Sequence, residues 1–177
     1  MRSCARDGSP RRAALAWAAL LACSVASPET EVKDALARLR EARLDAGGAP
    51  ALELRSLRFA DVTVSLDGPR ALVLAVVEAE GSAGGGASLA YVGREAFAME
   101  RCPTLRWCLP DLPALRGVVA ALREAPREAA ARVTAWQVRV ERDHATAGED
   151  YELAGRRLRV RRELRREVAG WRLVAAP

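Results

Sequence analysis

Lysine and histidine are nearly missing from this 177-residue chain: Lys33 and His144 are the single examples, so its positive charge is arginine. Aromatic residues make up only 5%, which argues against a nucleic-acid partner, because such binders concentrate strong positive charge and interleave aromatics. One histidine, His144, and four cysteines supply no set of four ligands at zinc-site spacing, so no metal is implied. A Cys-x-x-Cys redox pair is absent as well, since five residues separate Cys102 from Cys108. No apolar run approaches the roughly 20 residues that cross a bilayer. The best candidate, Ala13 to Ala22, follows Pro10, Arg11 and Arg12 and is followed by Pro28 and Glu29. The glycine run Gly81 to Gly86 lacks the lysine and the hydroxyl residue of a phosphate-binding loop, and reads as a flexible connection. No cofactor is implied.

What is present begins with the N-terminus. Arg2, Arg6, Arg11 and Arg12 precede the apolar stretch, which is the layout of an export signal. The stretch closes on Leu20-Leu21-Ala22-Cys23, which resembles the lipobox of bacterial lipoproteins, with Leu21 in place of the usual smaller residue. The resemblance implies removal of residues 1–22 and acylation of Cys23, palmitate-type chains then holding the protein to a membrane; several chains anchor stably where one does not. Ser24 in the next position, rather than aspartate, implies the outer membrane. A second reading stays open: cleavage after Ala26, where Ser24 and Ala26 supply a small-x-small pattern, would release a secreted or periplasmic protein.

Removing residues 1–22 removes four arginines and Asp7, and the formal net charge falls from +5 to +2. The basicity is thus largely the leader's. Residues 23–177 are the size of one domain. Outside the cytosol, Cys102 and Cys108 are expected to form a disulfide.

Ser27-Pro28-Glu29 starts a helix with a capping hydroxyl, proline at the first position and acid in the first turn. Val32, Ala35, Leu36, Leu39 and Ala42 carry its apolar stripe toward Leu44, and Gly47-Gly48 ends it. From Leu52 the period becomes two, through Leu54, Val62, Val64 and Leu66, up to a turn at Asp67-Gly68-Pro69. The return run from Ala71 to Gly81 is nearly all aliphatic, which predicts a central strand covered on both faces. Residues 88–100 fit either a third strand or a short helix. Asp111-Leu112-Pro113 opens a second helix with Leu112, Leu115, Val118, Val119 and Leu122 on one face; Gly117 in its middle costs about 1 kcal/mol against alanine, so packing must hold it. Strand-like runs at 133–142, 145–153 and 157–167, with turns at Arg142-Asp143-His144 and Ala154-Gly155, finish in Gly170-Trp171-Arg172-Leu173-Val174.

This order of helix, hairpin, helix and meander, closing on a charged strand that turns through Gly170 into Trp171, resembles the nuclear-transport-factor-2-like and cystatin-like α+β families. The resemblance implies a curved antiparallel sheet wrapped, cone-like, around the N-terminal helix, with one further helix between hairpin and meander. Such families include isomerases and polyketide cyclases as well as binding, inhibitory and accessory domains, so fold does not decide activity. A catalytic cone would need an acid or base at its apolar interior. Tyr91, Glu95, Asp150 and Tyr151 are the residue types available; Asp150 and Tyr151, being neighbours on a strand, point to opposite faces. His144 reads as a solvated turn residue. Along the last long strand, Leu158, Val160 and Leu164 face inward while Arg157, Arg159, Arg161 and Arg165 form an outward stripe, interrupted by Glu163 and paired with acids such as Glu149. Arg162 and Arg166 break the inward alternation. The stripe is a candidate surface for an anionic envelope component, lipid head groups or an acidic protein partner. The expectation is an envelope lipoprotein with a small, non-catalytic binding or accessory domain; the alternative is a small isomerase-like or cyclase-like enzyme with a pocket inside the cone.

Overall fold

A computed structural model describes residues 27–46, 49–84, 86–103, 106–109 and 111–174. Residues 1–26, on which the expected export signal and Cys23 fall, lie outside the described residues. The chain forms helix α1 (Pro28–Arg38), strands β1 (Ala42–Ala46), β2 (Ala49–Asp67), β3 (Arg70–Ser82), β4 (Ser88–Arg101) and β5 (Trp107–Cys108), helix α2 (Pro113–Arg123), then β6 (Arg132–Glu141), β7 (His144–Leu153), β8 (Arg156–Glu167) and β9 (Gly170–Leu173). The nine strands among the described residues belong to one sheet in the order β1-β2-β3-β4-β6-β7-β8-β9, with β5 paired to the end of β4.

The chain uses one plan twice: a helix of 11 residues opened by proline, then four antiparallel strands. The two units meet where β4 runs parallel to β6, from Ser88↔Ala135 to Gly93↔Val140. The sheet is therefore not wholly antiparallel. A parallel pair needs a long crossover, and α2 supplies it. Both helices pack on the same face, α1 over β2 and β5, α2 over β4 and β9, and their buried residues join a single core.

Two expectations are revised by this arrangement, and one left open, the conformation of residues 88–100, is decided. The first helix stops at Arg38, because Leu39 turns extended, and Ala42 to Ala46 pair with β2. The sequence Ala-Arg-Leu-Asp-Ala alternates with period two, and Leu44, 2% exposed, joins the core from a strand. Residues 88–100 belong to a strand whose alternate side chains are buried. The aliphatic strand β3 is covered on one face only: Ala71, Val73, Ala75, Val77 and Ala79 are buried, whereas Leu72 is 55% and Leu74 38% exposed.

Local chemistry accounts for the joints. Ser27 Oγ accepts from the Thr30 amide at 3.3 Å and caps α1. Ala154 and Gly155 both take positive φ (49° and 76°) in the β7–β8 turn, a conformation matched to strand twist. Cys102 and Cys108 lie at disulfide distance, with Cα atoms 6.0 Å apart, and close the β4–β5 hairpin. Arg101 in that hairpin lies 4.5 Å from the Trp107 ring centroid and bonds Glu31 of α1 at 2.7 Å, fixing the hairpin beneath the helix. Among the described residues no helix is long and apolar enough to cross a membrane.

Candidate functional site

Two charged groups inside the core hold α2 at its ends. The helix has Leu112 at its N-cap and no side-chain cap of its own, so its first amides need an acceptor from elsewhere. Glu95 on β4 provides one: Oε2 accepts from Ala114 N at 3.2 Å and Oε1 from Leu115 N at 3.0 Å. Burial pushes the Glu95 carboxyl above its ordinary range, with the nearby Asp111 charge adding to the rise, while Tyr91 and the two helix amides oppose it. The Tyr91 hydroxyl reaches toward Glu95 across Gly93 without attaining hydrogen-bond geometry, and burial raises its own pKa further. A side chain at Gly93 would meet that hydroxyl at 2.5 Å, so only glycine leaves the path open.

At the other end, Arg127 donates to the carbonyls of Leu122, Arg123 and Ala125, the last two at 3.1 Å. Its Nε bonds the carboxylate of Glu149, which is 0% exposed and also takes Arg162 Nε at 3.3 Å. A carboxylate at the helix N-terminus and a guanidinium at its C-terminus both suit the helix dipole. Arg162 thus does not break the inward alternation of β8; it points inward to a buried partner. Glu149 was expected to pair with the outward stripe, but it faces the core. The stripe's partner is Asp150, held by Arg159 Nη2 at 2.7 Å and by Nε at 2.5 Å, which lowers the Asp150 carboxyl's pKa.

Arg157, Arg159, Arg161 and Arg165 do lie together on the outer face, all exposed. Arg161 meets Glu163 only at 3.7 Å, and Arg157 sits opposite Glu152, which Arg132 bonds at 3.3 Å. His144 is exposed, 3.6 Å from Asp143. Tyr151 is half-buried on the inner face opposite Leu158, so it and Asp150 do point apart. Among the described residues no three His, Cys, Asp or Glu side chains gather as metal ligands.

The outer sheet face holds what sequence reading did not assemble: a groove of about 820 Å³ running across six strands. Two cross-strand rows line it. One runs Ser56, Glu80, Ala90, Gln137, Gly148, Arg161; the next contains Arg58, Glu78, Val92, Arg139 and Thr146. The small residues Ala90 and Gly148 form the floor of the first row. Acids and Arg58 stand toward β2 and β3, while Arg139, Arg159 and Arg161 stand toward β6 and β8. The alternation of each strand was legible; the register that aligns Arg58 with Arg139 across β3 and β4 was not.

No family model, curated protein or solved structure matches the chain.

Proposed function

We propose that the protein is a non-catalytic binding or accessory module of the bacterial cell envelope, held to a membrane by lipid on Cys23, the outer membrane being favoured by Ser24. The observation that carries the binding part is the uncovered, arginine-bearing groove of the outer sheet face. The buried acids support the non-catalytic part, since Glu95 is spent on capping α2 and Glu149 on Arg127 and Arg162. In the same proposal, each unit of one helix and a four-stranded meander corresponds to the helix-and-sheet pattern of cystatin-like domains, with the sheet forming a cone about its helices. Its partners are the membrane, through the anchor, and an anionic envelope component or acidic protein, through the arginines.

The second reading, an isomerase-like or cyclase-like enzyme, is favoured by one observation: Tyr91 and Glu95 adjoin in the core with both pKa values raised, a recurrent feature of catalytic sites. Against it stands the 1% exposure of Glu95. Intact-mass measurement on protein extracted from membranes tests the tether: a diacylglyceryl adduct on an N-terminal Cys23 is expected. An unmodified product beginning at Ser27 in the soluble fraction would overturn it.

A further inference from the structure

Beyond the groove's lining the outer face turns apolar. Along β3 and β4 the same outer face continues from Glu78 and Val92 to Val76, Leu74 and Leu72, with Ala96 opposite Leu74 and Ala98 opposite Leu72. From Glu78 to Leu72 this strip spans about 20 Å at strand rise. Leu72, Leu74 and Val92 are 55%, 38% and 38% exposed. Leu72 and Leu74 stand next to each other on one face of β3, and an apolar patch of this kind offers a contact surface. Arg94, beside Val76 on the strip, adds a further cation.

At the charged end, the arginines differ in how far they are already engaged. Arg159 is committed to Asp150 by two bonds. Arg58 lies 3.7 Å from Glu78 and Arg161 3.7 Å from Glu163, with the side chains of both arginines more than 70% exposed. Such pairs are weak and exchange readily for a better anion. Arg139 has no ion-pair partner among the described residues. It and Arg161 flank β7 from either side, where Thr146 and Gly148 are too small to hold them apart. Two guanidinium groups rising from strands on either side of a small-residue floor suit a phosphate, which arginine binds through paired N–H groups.

Resting on the binding-module reading, we propose that this face binds a single anionic phospholipid molecule, with its phosphate between Arg139 and Arg161 and an acyl chain along Val92, Leu74 and Leu72. The groove carries Arg58, Arg139, Arg159 and Arg161 against Glu78 and Glu80, and this positive excess selects an anionic head group. The apolar strip of Val92, Val76, Leu74 and Leu72, with Arg94 at its side, selects a chain over a polar anion. The concavity, lined at the head-group end by Glu78, Val92, Arg139 and Arg161, selects a single head group over a flat bilayer surface.

The test uses the full chain carrying Cys23→Ser, so that no attached lipid contributes. It is incubated with phosphatidylglycerol vesicles or phosphatidylcholine vesicles and separated from them by flotation, and the protein fraction is read by native mass spectrometry. The expected result is a mass gain of one phosphatidylglycerol and none of phosphatidylcholine. Occupancy should fall at least tenfold in the Arg139→Gln/Arg161→Gln double variant and, separately, in Leu74→Glu. Both changes are at solvent-facing positions, and an unchanged melting midpoint confirms folding. The apolar leader is common to every variant, so differences between them read the sheet face alone. No adduct, equal uptake of phosphatidylcholine, occupancy indifferent to both variants, or vesicle association without lipid carried away would each overturn the proposal. Capture of polyglutamate in place of lipid would assign the face to an acidic protein instead. The mass at Cys23 in the unaltered protein reports on the anchor independently, so either idea can fail without the other.

Discussion

Replacing Glu95 tests the claim that α2 is capped from β4. Glu95→Ala leaves the Ala114 and Leu115 amides without their acceptor in a buried place, at about 1–3 kcal/mol each. The carboxylate's favourable position at the helix dipole is lost as well, and relief of carboxylate burial offsets part of the total. The expected loss is about 3–5 kcal/mol, a large share of the 5–15 kcal/mol typical of a domain. Glu95→Gln has one oxygen where the carboxylate uses two, and its NH₂ would face an amide donor, so an intermediate loss of about 1–3 kcal/mol is expected. Urea denaturation at fixed pH measures both. The pH dependence supplies a second reading. Because burial raises the folded carboxyl above its ordinary value of 4.5, the native state holds more protons than the unfolded chain between that value and the folded pKa. Stability contributed by Glu95 is then full below 4.5 and falls as pH rises through the folded pKa. The stability difference between wild type and Glu95→Gln should therefore shrink with rising pH across that window. An alanine variant as stable as wild type would refute the capping argument, and a difference that grows with pH would refute the claim that burial outweighs the helix amides at this carboxyl.

The buried acid at the other end of α2 gives a matching expectation. Glu149→Ala leaves Arg127 and Arg162 without their counter-charge, at about 3–5 kcal/mol, read as a lower urea midpoint. Gly117→Ala places a methyl 2.7 Å from Trp171 Cδ1; overpacking of about 1–3 kcal/mol exceeds the gain of about 1 kcal/mol from helix propensity. The sign should reverse when Trp171→Leu is combined with it, which a double-mutant cycle will show. Reduction of Cys102–Cys108 opens a short loop, with a sequence separation of 6, and should cost about 2 kcal/mol on chain-entropy grounds; denaturant curves with and without dithiothreitol, alongside a two-dalton mass change, measure it.

Much of the fold is written locally. Ser27-Pro28 and Leu112-Pro113 mark helix starts, and Asp67-Gly68-Pro69 and Ala154-Gly155 mark hairpins, because capping and turn geometry depend on residues a few positions apart. Gly117 signalled that packing must compensate for a weak helix position, and Trp171 lying against it is that packing. The site was less legible. The outward arginines of β8 followed from alternation, but Glu149 and Asp150 are neighbours whose faces are set by which residue of β6 and β8 each one meets. A shift of one residue would have exchanged their roles.

The sequence alone determines the alternation along the strands, the places where helices begin and the positions of the tight turns, all of which rest on short-range sterics and hydrogen bonding. Tertiary structure alone decides that Arg58, Arg139 and Arg161 border one groove, that Leu72 and Leu74 stay uncovered, and that Glu95 and Glu149 serve a helix they are distant from in the chain. Those outcomes depend on strand register and on the parallel β4–β6 join, where residues more than forty positions apart come into contact. No local preference encodes such a pairing; it is selected by the burial of the whole core at once.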